Sequence, residues 1–267
     1  MKMKSLDSQS IQELLTLAEN ATQRAGEVIC SYYRSAYQSW DKRPDNPVTT
    51  ADMEADQLLR ETLTSATPDF GWLSEETRDT PERLGRRFTW VVDPLDGTKE
   101  FIQGLDQFAV SVALVDNGQP LLGVVYNPAT KEMFTSSIEQ GVQLNGHAAQ
   151  AFSSRQDPNG ASVLASNTEI QRGMWEPYTD KFKVVEVGSA AYKLARVAAG
   201  MGDAYISLNP KNEWDICAGT ALVLSAGGTV TDLSGAPLRF NQERTLVQGL
   251  VAANSTLHRG IVDLIVS

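Results

Sequence analysis

The stretch Thr89-Trp-Val-Val-Asp-Pro-Leu-Asp-Gly-Thr-Lys-Glu-Phe-Ile102 joins a short apolar run to two carboxylates that stand three residues apart. Residues 90–92 form a continuous apolar segment, which predicts a strand that is buried on both faces. Asp93 falls where that strand ends. Because ligands of open α/β sheets bind at strand ends of this kind, we expect a ligand site here.

The residues around these carboxylates favour a loop that binds cations and phosphate. Pro94 lacks an N–H and ends regular strand pairing, whereas Gly97 permits backbone conformations that are closed to other residues. Asp93 and Asp96 can therefore converge, with the Leu95 carbonyl between them as a third oxygen ligand. If a helical turn begins here, the N–H groups of Gly97 and of the residue after it could face an anion.

Composition and charge narrow the functional class. Of 267 residues, 42% are hydrophobic and 21% are charged, which is typical of a soluble globular protein. The formal net charge of −10 disfavours nucleic acid polymers and membranes as partners, since both require clustered lysine and arginine. Residues 1–6 are basic without an apolar signal region, and residues 216–228 are too few to span ~30 Å of hydrocarbon. We therefore expect a cytoplasmic location.

The cysteines and histidines argue against a disulfide, a zinc site and a Ser-His-Asp triad. Cys30 and Cys217 have apolar neighbours on predicted helices, so we expect reduced and mostly buried thiols rather than a disulfide. His147 and His258 are too few for a zinc site or a Ser-His-Asp triad.

Helical spacing of apolar residues dominates the first quarter of the chain. It predicts a long helix at about residues 10–35, which begins with a capping box of Ser10 and Glu13. After a polar connector, Thr49 or the next residue is expected to cap a second helix. We expect Met53 to belong to the buried stripe of that helix.

The rest of the chain divides into two patterns. Strand-like runs between residues 108 and 144, separated by turn signals, predict an antiparallel meander. From residue 153 onward strands alternate with helices, which predicts layered α/β structure. We therefore predict an antiparallel-rich α+β half at residues 1–152, which carries most metal ligands, and an α/β half at residues 153–267, which closes the active site.

The loop at residues 93–98 resembles the Asp-Pro-Ile/Leu-Asp-Gly-Thr/Ser signature of the Mg²⁺-dependent, lithium-sensitive phosphatases related to inositol monophosphatase. Its extension Gly97-Thr-Lys-Glu-Phe101 is most similar to the CysQ-type 3′(2′),5′-bisphosphate nucleotidases of that superfamily. Glu213-Trp-Asp-Ile-Cys-Ala-Gly219 is similar to the second signature, Trp-Asp-x-x-Ala-Gly. The resemblance covers nearly the whole chain. It implies a layered α-β sandwich of the sugar-phosphatase type and an active site that uses two or three Mg²⁺ ions.

The resemblance also implies roles for individual residues. Asn46-Pro-Val-Thr-Thr-Ala-Asp52 is similar to the family segment Pro-Val-Thr-x-Ala-Asp, whose aspartate works with the loop threonine. By spacing alone, Asp52 is an ordinary acid of a first helical turn. The implied catalytic residues are Asp52, Thr98 and Glu75; the metal ligands are Glu75, Asp93, the Leu95 carbonyl, Asp96 and Asp215, with Glu76 secondary; and the substrate-binding residues are Gly97, Thr98, Lys99, Ser189 and Lys193.

The choice of substrate depends on Lys193 and on the 97–101 extension. Lys193 stands where nucleotidases of this superfamily carry a lysine that faces the nucleotide phosphate, although a helical lysine is most often solvated. We expect hydrolysis of 3′-phosphoadenosine 5′-phosphate to AMP and phosphate. An inositol monophosphatase or a broad sugar-phosphate phosphatase is the alternative, and a catalytically silent protein that binds a phospho-ligand is a remote one. The resemblance permits a homodimer.

The charged segment of residues 77–87 contains a proline and a glycine, which predicts an exposed and mobile loop that could fold over the site.

Overall fold

The computed structural model of the protein describes residues 6–137 and 140–266. The basic start of the chain, residues 1–5, lies outside these ranges. Among the described residues, no helix combines the length and the apolar character that a membrane crossing requires. The helices are α1 (Ser8–Tyr32), α2 (Thr50–Ala66), α3 (Thr98–Ile102), α4 (Asn167–Gln171), α5 (Ala190–Ala198), α6 (Glu213–Ser225) and α7 (Ser255–Val266).

The strands form two main sheets. A hairpin of β1 (Ser39–Arg43) and β2 (Asn46–Thr49) precedes them. The first sheet contains, in spatial order, β3 (Gly71–Ser74), β4 (Phe88–Asp96), β5 (Ala109–Asp116), β6 (Gln119–Asn127), β7 (Glu132–Ser137), β8 (Gly141–Leu144) and β9 (His147–Ala148). Its neighbouring strands are antiparallel except that β3 runs parallel to β4.

The second sheet is mixed. Its strands are β10 (Ala161–Ala165), β11 (Phe182–Glu186), β12 (Ala204–Ser207), β14 (Gly228–Thr231) and β16 (Leu250–Asn254), while β13 (Lys211–Asn212) and β15 (Leu246–Val247) form a separate short pair. Strand β10 is parallel to β11 and β12, and β16 is antiparallel to β12 and β14.

Helices and sheets alternate in layers. Helices α1 and α2 pack on one face of the first sheet, and α5 and α6 pack between its other face and the second sheet. Helices α4 and α7 cover the outer face of the second sheet. The predicted α+β class and its layered sandwich are confirmed.

Strand β4 shows why a continuous apolar run leads to the site. Trp90 and Val92 face the layer of α1 and α2, and Val91 faces the layer of α5 and α6. Both faces are covered, so all three side chains are buried. The pairing of β4 with β5 then shifts register between Asp93 and Asp96, as expected where the intervening proline has no N–H to donate.

Several local expectations are wrong. Helix α1 is capped by Asp7, whose Oδ1 accepts from the Ser10 N–H at 2.9 Å, so Ser10 lies inside the helix. Met53 is 41% exposed because the buried stripe of α2 runs through residues 51–52 and 55–56 instead. Cys30 is exposed because it follows the last buried position of α1. The polar connector before α2 is the β1–β2 hairpin.

The first helical stretch after β10 is interrupted. It divides into α4 and a 3-10 turn at Glu176–Tyr178. Gly173 lies between them with φ +69°, a left-handed conformation that ends a regular helix.

The charged segment of residues 77–87 is anchored at its centre. It contains a 3-10 helix, Pro81–Gly85, in which Arg83 is only 3% exposed. Arg83 pairs with Asp79 and donates to the Asn241 side chain at 2.7 Å. The expected exposure holds for residues 78–82 and 84–86 but is wrong for Arg83. The expected mobility and a role over the site stay predictions.

Candidate active site

Three carboxylates meet at one edge of the first sheet. Glu75 follows β3 directly, and its N–H donates to the Val92 carbonyl of the parallel strand β4 at 3.3 Å. Asp93 is the next residue of β4, and α6 supplies Asp215 from its first turn. One carboxylate oxygen from each of Glu75, Asp93 and Asp215 lies within 4.8 Å of the others. The structure thus brings together three of the sequence-predicted ligands.

Asp96 lines the same cleft but is oriented by the start of α5. Its Oδ2 accepts from the Ser189 hydroxyl at 2.6 Å and from the Ala191 N–H at 2.6 Å. Ser189 adopts φ +57°, a strained conformation for a residue other than glycine, and this places its hydroxyl on Asp96. Substrate binding by Ser189 and metal binding by Asp96 stay predictions.

The protonation of the cluster is strongly perturbed. Burial, followed by the negative charges of Asp96 and Glu75, raises the pKa of Asp215 to about 8. Burial, followed by the charges of the same neighbours, also holds the pKa of Asp93 well above its ordinary value. Without added positive charge, the cluster would retain protons near neutral pH.

A hydroxyl and a buried carboxylate adjoin this cluster. The Thr98 hydroxyl lies 3.0 Å from Asp52 Oδ1 and 3.0 Å from the Leu95 carbonyl, and its single proton can be donated to only one of them. The other oxygen of Asp52 caps α2 through the Thr49 N–H at 2.8 Å. Burial raises the pKa of Asp52 to about 6. Thr98 and Asp52 can therefore accept and relay a proton near neutral pH.

Gly97 makes this loop possible. It has φ +98° at the start of α3, and a Cβ built there would lie 3.0 Å from the Gln107 carbonyl. Another residue would be strained and crowded, so the position requires glycine.

Lys42 is a site residue that the sequence reasoning missed. It lies on β1, and its Nζ is 2.7 Å from Glu75 Oε1 and 2.7 Å from Glu76 Oε1. Burial raises the pKa of Glu76 to about 7. Because the ammonium occupies one oxygen of Glu75, Lys42 would compete with a cation for this carboxylate. In the sequence, Lys42 lies in a polar connector, and nothing there distinguishes it from the neighbouring charged residues.

A cleft of about 530 Å³ is lined by Glu75, Asp93, Asp96, Thr98 and Asp215. Its basic side chains are Arg43, Lys99, Arg172, Lys193 and Lys211. Lys193 is 1% exposed, and its Nζ donates to the Val187 carbonyl at 2.8 Å. Burial lowers the pKa of Lys193 to about 8. Its predicted contact with a substrate phosphate stays a prediction.

The donor set fits Mg²⁺. Glu75, Asp93 and Asp215 offer only oxygen atoms, and hard cations such as Mg²⁺ prefer carboxylate and carbonyl oxygen. At ~4 Å, each pair of these charges repels by roughly 4 kcal/mol at an effective dielectric of 20. A divalent cation would remove that repulsion.

The metal-free protein should lose stability as the pH rises. Asp215 has a pKa of about 8 in the folded chain against an ordinary value of 3.8, so the folded state binds more protons between these values. Stability therefore falls with increasing pH across that window. We expect the Tm in EDTA to drop between pH 5 and 8, with a shallower drop in Asp215→Asn. Equal slopes for the two proteins would contradict the assignment.

Comparisons with known proteins agree on one family. A model described as "Inositol monophosphatase family" matches residues 10–267. The Nus factor SuhB of Salmonella typhimurium is 35% identical over 83% of this chain and 86% of its own. A 3′(2′),5′-bisphosphate nucleotidase CysQ from Aggregatibacter actinomycetemcomitans is 32% identical over 92% of both chains. An inositol-1-monophosphatase from Caulobacter vibrioides is 34% identical over 81% of this chain and 86% of its own.

Solved structures give the same result. The extragenic suppressor protein suhB from Bartonella henselae superposes with a TM-score of 0.83 and 28% identity, and covers 95% of this chain and 98% of its own. An IMPase from Thermotoga maritima has a TM-score of 0.83 and 26% identity, with 95% and 96% covered.

Proposed function

Because the chain belongs to the inositol monophosphatase family, we propose that it is a Mg²⁺-dependent phosphomonoesterase that converts 3′-phosphoadenosine 5′-phosphate to AMP and phosphate. The observation that carries the chemistry is the convergence of Glu75, Asp93 and Asp215 beside the Thr98–Asp52 pair. The carboxylate cluster does not stabilise the metal-free fold, because it concentrates negative charge.

The protein's own residues would handle the proton of the attacking water. Thr98 Oγ1 accepts that proton while it passes its own proton to Asp52 Oδ1, 3.0 Å away. Asp52 suits this role because its raised pKa of about 6 keeps it ionised but basic near neutral pH. The N–H groups at the start of α3 orient the phosphoryl oxygens.

Glu75, Asp93 and Asp215 would hold the metal, with Asp96 and the Leu95 carbonyl as further ligands. Two or three Mg²⁺ ions, when bound, would lower the pKa of a water and neutralise the leaving oxygen of an in-line displacement. Glu75 would first have to exchange the Lys42 ammonium for a cation, which the exposed hairpin position of Lys42 permits.

Three observations favour a bisphosphate nucleotide over inositol 1-phosphate. The 97–101 extension resembles that of the nucleotidases, and a CysQ relative matches over 92% of both chains. The cleft also carries basic side chains away from the carboxylates, among them Lys99 and Arg172, which a substrate with only one phosphate would not engage.

Two other functions are alternatives to the proposed one: hydrolysis of inositol phosphates and a non-catalytic role. An inositol-1-monophosphatase is 34% identical, which keeps inositol phosphates as the second candidate. Relatives named Nus factors raise a non-catalytic role, but the intact carboxylate cluster and the Thr98–Asp52 pair favour catalysis. A cytoplasmic location, a homodimer and the absence of nucleic acid partners stay predictions.

Initial rates on a substrate panel test the proposal. With Mg²⁺, we expect kcat/KM to be highest for 3′-phosphoadenosine 5′-phosphate, compared with its sulfated relative, inositol 1-phosphate, fructose 1,6-bisphosphate and NADP. A preference for inositol 1-phosphate would promote the alternative. The resemblance also implies inhibition by lithium, which the same assay measures.

A further inference from the structure

The cleft opens into a side chamber of about 450 Å³. Lys99, Thr168 and Arg172 line both spaces, so a ligand can extend from the carboxylate cluster into the chamber without leaving the protein surface. The carboxamides of Gln103, Asn167 and Gln171 also line the chamber, and no aromatic residue is found among the described lining residues. The chamber therefore suits a polar or anionic group rather than a stacked ring.

The two cations of the chamber, Lys99 and Arg172, are exposed and unpaired in the part of the chain that the structure describes. Within residues 6–137 and 140–266, neither Lys99 nor Arg172 forms an ion pair with a carboxylate. Two acids also line the chamber, but neither pairs with these cations. Asp45 is exposed in the β1–β2 hairpin, and Glu100 packs on Gly188, where a Cβ would meet its Cγ at 2.5 Å. In a chain with a net charge of −10, such free cations beside a substrate cleft point to an anionic ligand.

The wall that carries Arg172 is held in place by a buried carboxylate. Glu169 is 0% exposed, and its Oε1 accepts from the N–H groups of Leu208 and Asn209 at 3.0 Å each. Its Oε1 also accepts from the Ser207 hydroxyl at 3.0 Å. These bonds fix α4 against the segment that leads to β13 and α6. Arg172, the C-cap of α4, is therefore presented from an ordered base.

We propose that Arg172 and Lys99 bind, in this chamber, the second phosphate of the substrate, the one that is not hydrolysed. This rests on the proposed function. A guanidinium can donate two parallel hydrogen bonds to a phosphate, and the ammonium adds a third charged donor. The second phosphate is thereby separated from the carboxylate cluster, which receives the scissile one. Lys193 is less suited because it is buried and one of its three N–H donors is held by the Val187 carbonyl.

A substrate pair isolates this contact. Adenosine 3′-phosphate carries the same scissile group as 3′-phosphoadenosine 5′-phosphate but lacks the second phosphate. We expect Arg172→Gln to lower kcat/KM for the bisphosphate by about ten- to a hundred-fold, and to leave adenosine 3′-phosphate within about two-fold. Lys99→Gln should show the same pattern. Arg259→Gln removes the same charge from an exposed position on α7 and should show no selective loss.

Three results would overturn the proposal. They are an unchanged kcat/KM for the bisphosphate in Arg172→Gln, equal losses on both substrates, and a selective loss in Lys193→Met that Arg172→Gln does not show. The last result would assign the second phosphate to Lys193 instead.

An error in the proposed substrate can be distinguished from an error in the assignment of the chamber to a second phosphate. If the wild type prefers inositol esters, the same comparison is made with inositol 1,4-bisphosphate and inositol 1-phosphate. If no ester is hydrolysed, calorimetry in Ca²⁺ measures the binding of adenosine 3′,5′-bisphosphate. In either case a selective ten-fold weakening in Arg172→Gln supports the chamber, and equal values for wild type and variant overturn it.

Discussion

Asp93→Asn and Asp215→Asn should each abolish phosphate release, with a loss of about three decades or more in kcat/KM. The amide keeps the shape of the side chain but removes the charge that a divalent cation requires, and metal-assisted charge stabilisation contributes several kcal/mol to such reactions. The loss should persist at saturating Mg²⁺ because the ligand itself is changed. Initial rates of phosphate release measure it.

These variants should keep the fold. Both relieve repulsion among buried carboxylates, so their Tm in EDTA should equal or exceed that of the wild type. Asp69→Asn is the matched control, because Asp69 is exposed in the turn before β3 and should leave the rate unchanged. If Asp93→Asn or Asp215→Asn retained a near-wild-type kcat, the assignment of the metal ligands would be wrong.

Thr98→Ala should lower kcat by about two to four decades, the usual contribution of a positioned proton relay. The variant removes the hydroxyl that joins the attacking water to Asp52, whereas Thr98→Ser keeps it and should retain most activity. Asp52→Asn should resemble Thr98→Ala because an amide cannot accept the proton.

The pH profile separates this role from a structural one. Since burial raises the pKa of Asp52 to about 6, the wild-type rate should fall as the pH drops below about 6 and Asp52 becomes protonated. Asp52→Asn should lose this acidic limb along with most of its activity. A Thr98→Ala variant as fast as Thr98→Ser would remove the relay from the mechanism.

The metal loop could be predicted from the sequence because its determinants are local. An apolar run, a proline without an N–H and a glycine with positive φ lie within a few residues of Asp93, and the structure places each of them as expected. The approach of Asp215 has no local signal. It depends on the packing of α6 against the first sheet, and the resemblance alone indicated it.

The residues that sequence reasoning missed make long-range contacts. Lys42 reaches Glu75 only because the β1–β2 hairpin folds toward the end of β3. In the sequence, Glu169 is an ordinary acidic residue of a predicted helix. In the structure it is fully buried and accepts hydrogen bonds from residues 207–209. Arg172 gains its place in the chamber from the same packing. Such positions are set by tertiary structure, which neither periodicity nor spacing describes.

Anomalous scattering from a crystal soaked in Mn²⁺, a substitute for Mg²⁺ with the same preference for oxygen, tests the central claim most directly. We predict a peak within about 2.5 Å of carboxylate oxygens of Glu75, Asp93 and Asp215, and its loss in Asp215→Asn. A crystal with Mn²⁺ bound elsewhere, and with Lys42 still paired to Glu75, would contradict the account.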